Sequence, residues 1–278
     1  GMEGIVIGDV LGRIKSVVWE GLFLDLDGTF PNHEANPLKE ETLDALKAKI
    51  REIGADLGLA FDGDADRMGL VDEKGEALRG DLMLALLAPI VLENDPGQAV
   101  LYTVNCSMVV PEEIARAGGR AVMTRVGHGL IKPHMRREKA IFAGELSSHF
   151  FFRDLANAEC PDLAMLMAFE LMTKTGKKLS ELVAPLKRYH HSGEINSKVA
   201  DKDAALVRLE KAYAPQASAV SKIDGIRMDF FDAASPDDDW WWSVRASNTE
   251  PLLRLNLEAK KKEKMELMRD EMLKIIRA

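Results

Sequence analysis

Residues 61–67 read Phe-Asp-Gly-Asp-Ala-Asp-Arg, which sets the carboxylates of Asp62, Asp64 and Asp66 two positions apart on one loop. Like charges at that spacing repel one another. A hard divalent cation relieves the repulsion, and an all-oxygen ligand set suits Mg²⁺ or Ca²⁺. The plain alternative is a solvated acidic turn. An EF-hand is another, because Asp62, Asp64, Asp66 and Glu73 fall at its loop positions 1, 3, 5 and 12. It fails because Arg67 stands where that turn needs Gly, and because the flanks are strand-like rather than paired amphipathic helices.

Four further segments carry chemistry-bearing side chains. Arg245-Ala-Ser-Asn-Thr-Glu-Pro251 places a guanidinium, two hydroxyls and an amide in one short stretch. Arg245, Ser247, Asn248 and Thr249 can together surround a phosphate, with Arg254 adding a second charge beyond Leu252; the alternative is a polar hairpin turn. In Gly144-Glu-Leu-Ser-Ser-His149, Glu145 and Ser147 alternate. In extended backbone they point the same way, as gripping vicinal sugar hydroxyls requires. His149 can titrate near neutrality, although a lone His is as readily structural. Gly127-His-Gly-Leu-Ile-Lys132 offers His128 and Lys132 at a helix start for a phosphate or an acid/base task, or else a Gly turn with a solvated Lys. Leu24-Asp-Leu-Asp-Gly-Thr29 matches the nucleophile string of haloacid-dehalogenase-like phosphatases, in which Asp25 would be phosphorylated and Asp27 would be the acid.

The elements that must hold these residues follow from pattern. Residues 1–75 alternate strand and helix. Gly21–Leu26 is an apolar run of strand length, 37–54 is a helix with Pro37 at its first turn and Gly54 as its stop, and 55–61 is a buried strand leading into the Asp-rich loop. Residues 76–187 repeat that rhythm, with helices at 82–92, at 111–117 and from about 130, and strands at 99–104, 121–124 and 140–143. Residues 188–278 change character: strands near 189–199, 226–231, 240–245 and 252–258 surround a helix near 202–213, and a helix over 261–277 closes the chain. The expected fold class is α/β, with layered mixed or mostly parallel sheets in the first two domains and an α+β C-terminal domain. Lys260-Lys-Lys262 reads as a solvated helix start.

The 278 residues are 46% apolar and 29% charged, the make-up of a globular chain. A net charge of −8 argues against a nucleic-acid surface while permitting a local basic cleft for a small anion. No apolar run reaches membrane-spanning length, and no signal peptide opens the sequence. Cys106 and Cys160 give neither a disulfide framework nor metal spacing, so the cytoplasm is the expected setting. Gly1 before Met2 reads as a vector-derived residue.

In order and spacing, Asp62–Arg67, Gly127–Lys132, Gly144–His149 and Arg245–Pro251 resemble the α-D-phosphohexomutase family over essentially the whole chain; bacterial phosphomannomutase/phosphoglucomutase enzymes are the nearest likeness. Leu26-Asp-Gly-Thr-Phe-Pro-Asn-His33 also looks like that family's second domain, which would make the dehalogenase-like string a coincidence. The resemblance implies that a phosphoserine gives its phosphoryl group to a hexose monophosphate and then takes back the other one. Asp62, Asp64 and Asp66 would hold Mg²⁺ with Arg67 beside them. Glu145 and Ser147 would bind sugar hydroxyls, the Arg245–Thr249 loop and Arg254 would anchor the non-reacting phosphate, and His128 and His149 would help with acid/base work.

The departures from the family pattern are specific. No Thr-Ala-Ser-His-Asn-Pro-like nucleophile loop occurs, and Ser107, Ser147 and Ser148 have the wrong context. Asn105 stands where many members carry Lys, and Leu146 and Ser148 stand where Met and Gly are common. The sequence reads as a C-terminal portion of the family pattern: part of the second domain (1–75), the third (76–187) and the last (188–278). Such a chain is expected to bind a hexose phosphate without turning it over alone. The alternatives are a phosphatase using Asp25 and a non-catalytic sugar-phosphate-binding remnant. An incomplete second domain exposes an edge, so the expectation is either a homodimer covering it or a mobile remnant.

Overall fold

The structure, a computed structural model, describes residues 1–247 and 251–278. Asn248 and Thr249 of the expected phosphate loop therefore lie outside the described residues. In chain order the elements begin with α1 (Ile7–Leu11), α2 (Asp44–Ile53), β1 (Leu57–Phe61), β2 (Met68–Asp72) and β3 (Ala77–Leu78). Next come α3 (Gly80–Asn94), β4 (Ala99–Thr103), α4 (Val109–Arg116), β5 (Arg120–Thr124), α5 (His128–Glu138), β6 (Phe142–Gly144), β7 (Phe150–Phe152), β8 (Ala158–Glu159), α6 (Pro161–Thr175) and α7 (Leu179–Val183). The last set is β9 (His190–His191), β10 (Ile195–Lys198), α8 (Lys202–Tyr213), β11 (Ala219–Ser221), β12 (Ile226–Phe230), β13 (Trp240–Ala246), β14 (Leu252–Ala259) and α9 (Lys262–Arg277).

The expected helix over 37–54 opens as a 3₁₀ turn at Glu40–Leu43 and becomes α2, which Gly54 ends at φ 67°. Only a residue without a Cβ adopts that left-handed cap freely. Leu43, Leu46 and Ile50 lie at helical spacing and pack on Ala60 and Val71 of the first sheet. That sheet is an antiparallel meander, with Phe61 opposite Met68 and Leu57 opposite Asp72. The connection 62–67 has only six residues, too short for the crossover that parallel strands need. The Asp-rich loop is thus the tip of a hairpin rather than the end of a parallel strand. Gly21–Leu26 is not a strand. It has no pairing partner among the described residues, and Leu24 and Leu26 are exposed. An apolar run without a neighbouring edge has nowhere to place its backbone hydrogen bonds in a ladder.

The second sheet has the order β5-β4-β6-β7-β8. Its first three strands are parallel, and β7 and β8 turn back antiparallel. Helix α3 is buried on nearly every side, because one core joins it to Met68 and Leu70 of β2 and to Val100, Phe142 and Phe150 of the second sheet. The Asp-rich hairpin is therefore fixed to the sheet that carries the histidine loops.

The third sheet is antiparallel, in the order β10-β14-β13-β12-β11, with β9 also on β14. Strand alternation gives it two unlike faces. Leu253, Leu255 and Leu257 of β14, with Trp242 and Val244 of β13, pack under Leu209 of α8 and Met265, Met268 and Met272 of α9. The opposite face carries Arg254, Asn256 and Glu258 opposite Arg245, Ser243 and Trp241. It meets the loop after β4: Arg227 donates to the Val104 carbonyl at 2.7 Å and stacks over Trp241 at 3.9 Å. The Met108 amide donates to Glu258 at 3.0 Å. No helix among the described residues is long and apolar enough to cross a membrane.

Candidate active site

The hairpin tip holds its acids close. One oxygen from each of Asp62, Asp64 and Asp66 lies within 4.8 Å of the other two. Asp62 is buried, Asp64 exposed and Asp66 half-buried. Ala65 takes a positive φ of 61°, so the chain turns sharply between the second and third acids. Arg67 sits where it was expected, beside this cluster. Its backbone amide donates to Asp62 Oδ1 at 3.1 Å, its Nε donates to Asp62 Oδ2, and Nε lies 3.9 Å from Asp66 Oδ1. Burial pushes the Asp66 pKa up; the His149 charge pulls it down, and Asp62 and Asp64 push it up again. Three convergent oxygens, one of them on a carboxyl group whose charge is disfavoured without a cation, fit a hard divalent ion.

Glu145 and Ser147 do come together, but through a tight turn rather than extended backbone. The β6–β7 connection folds back so that Glu145 N–H donates to the His149 carbonyl at 3.1 Å and Ser148 N–H donates to the Glu145 carbonyl at 3.1 Å. Ser148 takes a φ of 68° there. Its carbonyl accepts from the Met68 amide at 3.3 Å, which ties the turn to the Asp-rich hairpin. Glu145 Oε2 and Ser147 Oγ reach His149 Nδ1 at 3.0 and 2.9 Å. The other ring nitrogen, Nε2, lies 3.3 Å from Asp66 Oδ1. Burial draws the His149 pKa down, but the Glu145 hydrogen bond and charge, with Asp66, outweigh it, and the net shift is upward.

His128 opens α5, and its ring stacks on that of His149 at 5.9 Å between centroids. Gly127 N–H donates to Glu145 Oε1 at 3.0 Å, so the two histidine loops share one carboxylate. Sequence reasoning missed Glu159. Its carboxylate meets His128 Nδ1 at 3.3 Å and Lys132 Nζ at 2.6 Å. It lies 31 positions from His128 in an unremarkable Ala-Asn-Ala-Glu context, so no local signal marks it.

Arg245 and Arg254 are direct cross-strand partners on the polar face of the third sheet. Ser247 follows the end of β13 and is buried; its amide donates to the Leu252 carbonyl at 2.9 Å, closing the β13–β14 connection. Glu194, also missed from sequence, reaches Arg254 at 2.9 Å and Arg245 at 3.8 Å. The arginine pair is joined to the histidine loops through the Asp224–Gly225 turn. Asp224 Oδ2 accepts from the Val126 amide at 3.0 Å, and a Cβ on Gly225 would come within 2.7 Å of Arg245 Cα. Asn105 is buried in the loop after β4, and its Oδ1 has no hydrogen-bond partner among the described residues. Asp25 and Asp27 lie on the irregular exposed segment, where Asp27 accepts from its own neighbour Thr29 at 2.7 Å. A cavity of about 1390 Å³ adjoins that segment, lined by Leu11, Trp19, Leu24, Ile50 and Leu57 among others; it reaches Asp62 but not His128, His149, Arg245 or Arg254.

Three family models match the chain: phosphoglucomutase/phosphomannomutase alpha/beta/alpha domain II at 1–75, alpha/beta/alpha domain III at 79–189 and the C-terminal domain at 194–275. A phosphomannomutase of Escherichia coli strain K12 is 41% identical over 268 residues, covering 94% of this chain and 57% of the relative. One from Salmonella montevideo is 39% identical over 265 residues, with the same coverage. The chain thus spans a little over half the length of these relatives. Among solved structures, a phosphoglucomutase/phosphomannomutase family protein from Burkholderia thailandensis superposes with a TM-score of 0.81 at 31% identity, covering 92% of this chain and 54% of that one.

Proposed function

The chain belongs to the phosphoglucomutase/phosphomannomutase, or α-D-phosphohexomutase, family, and from that premise we propose that it carries the sugar-binding, metal-binding and phosphate-binding parts of a hexose-phosphate mutase. The observation that supports this most is the bridge made by His149, which touches the hairpin acids through Asp66 and the sugar-loop carboxylate through Glu145. Transfer of a phosphoryl group from a phosphoserine beside the metal-binding acids to a sugar hydroxyl requires those acids and the sugar loop to lie close together.

In this reading Asp62, Asp64 and Asp66 hold Mg²⁺, which when bound neutralises phosphoryl charge. Arg67 orients Asp62 and adds positive charge at its edge. Glu145 and Ser147 bind sugar hydroxyls. Arg245, Ser247, Asn248, Thr249 and Arg254 hold the phosphate that is not reacting, so the sugar presents its other end to the transfer site. The phosphoryl group leaves a phosphoserine oxygen and bonds to a sugar hydroxyl oxygen, and the hydroxyl proton passes to a base. After the bisphosphate reorients, the phosphoryl group at the other position returns to serine. His149, with Glu145 at Nδ1 and Asp66 at Nε2, suits the acid; His128, exposed beside it, suits exchange with solvent. The phosphoserine itself matches no serine of this sequence by context, so the chain alone binds hexose phosphate without turnover. We place this work in the cytoplasm, in keeping with two unpaired cysteines.

Phosphorus NMR of mannose 1-phosphate with the chain, Mg²⁺ and a trace of hexose 1,6-bisphosphate tests the reading, alongside calorimetric binding of mannose 6-phosphate. Binding that is lost on Arg245→Ala, with an unchanged spectrum, supports it. Appearance of a 6-phosphate signal would reveal a nucleophile within these residues. Release of inorganic phosphate that stops on Asp25→Asn would replace the mutase reading with a phosphatase.

A further inference from the structure

We propose that Glu194 is a resident carboxylate in the phosphate seat, which an incoming phosphate must displace from between Arg245 and Arg254; this rests on the phosphate-binding reading above. Arg245 and Arg254 stand directly opposite each other on β13 and β14, where like charges oppose pairing. The Glu194 carboxylate divides itself between them. Oε1 lies 2.9 Å from Arg254 Nη1, and Oε2 lies 3.8 Å from Arg245 Nη2 and accepts from Asn256 Nδ2 at 3.3 Å. An acid that spans two facing guanidiniums makes the contacts that two oxygens of a phosphate would make.

The placement suits an occupant that leaves. Glu194 follows Gly193, which takes a φ of 73° in the turn between β9 and β10, and its side chain is 27% exposed. Its arginine partners belong to β13 and β14, inner strands of the sheet, whereas Glu194 stands in a connection between strands. The Nε atoms of both arginines are buried without a hydrogen-bond partner among the described residues, so each guanidinium retains donor capacity that Glu194 does not use. If the carboxylate stayed while a phosphate dianion entered, two anions would sit within a few ångströms of each other, a repulsion that grows as water is excluded. A neutral sugar hydroxyl cannot separate these ion pairs, whereas a dianion can replace them. Glu194 thereby selects for phosphorylated ligands at the expense of affinity.

The test is calorimetric titration of the full chain with inorganic phosphate and with mannose 6-phosphate, for wild type, Glu194→Gln and Arg245→Ala. Gln keeps the shape and the amide contact while removing the charge. The proposal expects binding about fivefold tighter or better in Glu194→Gln, and binding lost in Arg245→Ala. If Arg245→Ala abolishes binding but Glu194→Gln weakens it or leaves it unchanged, Glu194 only positions the arginines and the proposal is overturned while the phosphate seat stands. If Arg245→Ala has no effect, the phosphate seat itself is wrong and the proposal falls with it. A second measurement uses wild type alone: the Glu194 carboxyl ¹³C resonance shifts as phosphate saturates, and a resonance that stays put overturns the displacement.

Discussion

His149 Nε2 lies 3.3 Å from Asp66 Oδ1, while Nδ1 of the same ring lies 3.0 Å from the almost fully buried Glu145. One imidazole thus fastens the tip of the first hairpin to the turn between β6 and β7. His149→Ala removes the imidazole that faces the Glu145 carboxylate, and the expected loss of stability is about 1–3 kcal/mol. His149→Gln, which can still donate one hydrogen bond, loses less. Urea denaturation of the two variants checks the order.

Asp64 is the exposed member of the acidic tip. Asp64→Ala is therefore expected to change stability by no more than about 0.5 kcal/mol while Mg²⁺ binding by calorimetry disappears. Retained binding in the variant would remove Asp64 from the ligand set.

How much of this was legible in the sequence varies by element. Helix α2 and its glycine stop were readable because apolar spacing and a left-handed cap are local properties, as was the strand pair around Arg245 and Arg254. The Gly21–Leu26 run misled, because a strand exists only where a neighbouring edge accepts its backbone bonds, and that is not written in the run itself. Glu159 and Glu194 were invisible for a related reason. Their partners are 31 and 60 positions away, and no motif spacing connects a single acid to a distant base.

Arg227 is fully buried, donates to the Val104 carbonyl at 2.7 Å and to Asp229 at 2.9 Å, and covers the Trp241 ring. Arg227→Met leaves both acceptors without their donor, with an expected cost of about 3–5 kcal/mol. Lys recovers only part of this, since it cannot reproduce the planar fork. The shift in urea midpoint measures it, with the slope of the transition checked for constancy.

Gly225 has φ 66°, and a Cβ there would approach the Val244 carbonyl oxygen to 2.2 Å and Arg245 Cα to 2.7 Å. Both contacts are backbone and cannot rotate away. Gly225→Ala is expected to lose about 1–3 kcal/mol through strain and to weaken mannose 6-phosphate binding by displacing Arg245. Unchanged calorimetric affinity would show that the turn does not set the position of that arginine.

Burial, then the nearby Asp162 charge and hydrogen bond, raise the Glu3 pKa from the ordinary 4.5 to about 8. A carboxyl group raised in the folded state binds more protons there than in the unfolded chain. Its contribution is complete below pH 4.5 and is lost as pH rises towards about 8. Glu3→Gln is expected to melt above wild type at pH 8, with the gap closing as pH falls from about 8 towards 4.5. Thermal melts across that range decide it, and a gap that is constant with pH would assign the effect to something other than this proton.

The two unlike faces of β14 make the C-terminal unit its own proofreader. If β14 slipped by one position against β13, Arg254, Asn256 and Glu258 would be driven beneath α8 and α9, and Leu253, Leu255 and Leu257 would be turned towards the loop after β4. Such a misaligned sheet could neither close its own core nor seat against its neighbour. A one-position slip is therefore disfavoured by the core and by the docking face together, which favours the register that sets Arg254 opposite Arg245.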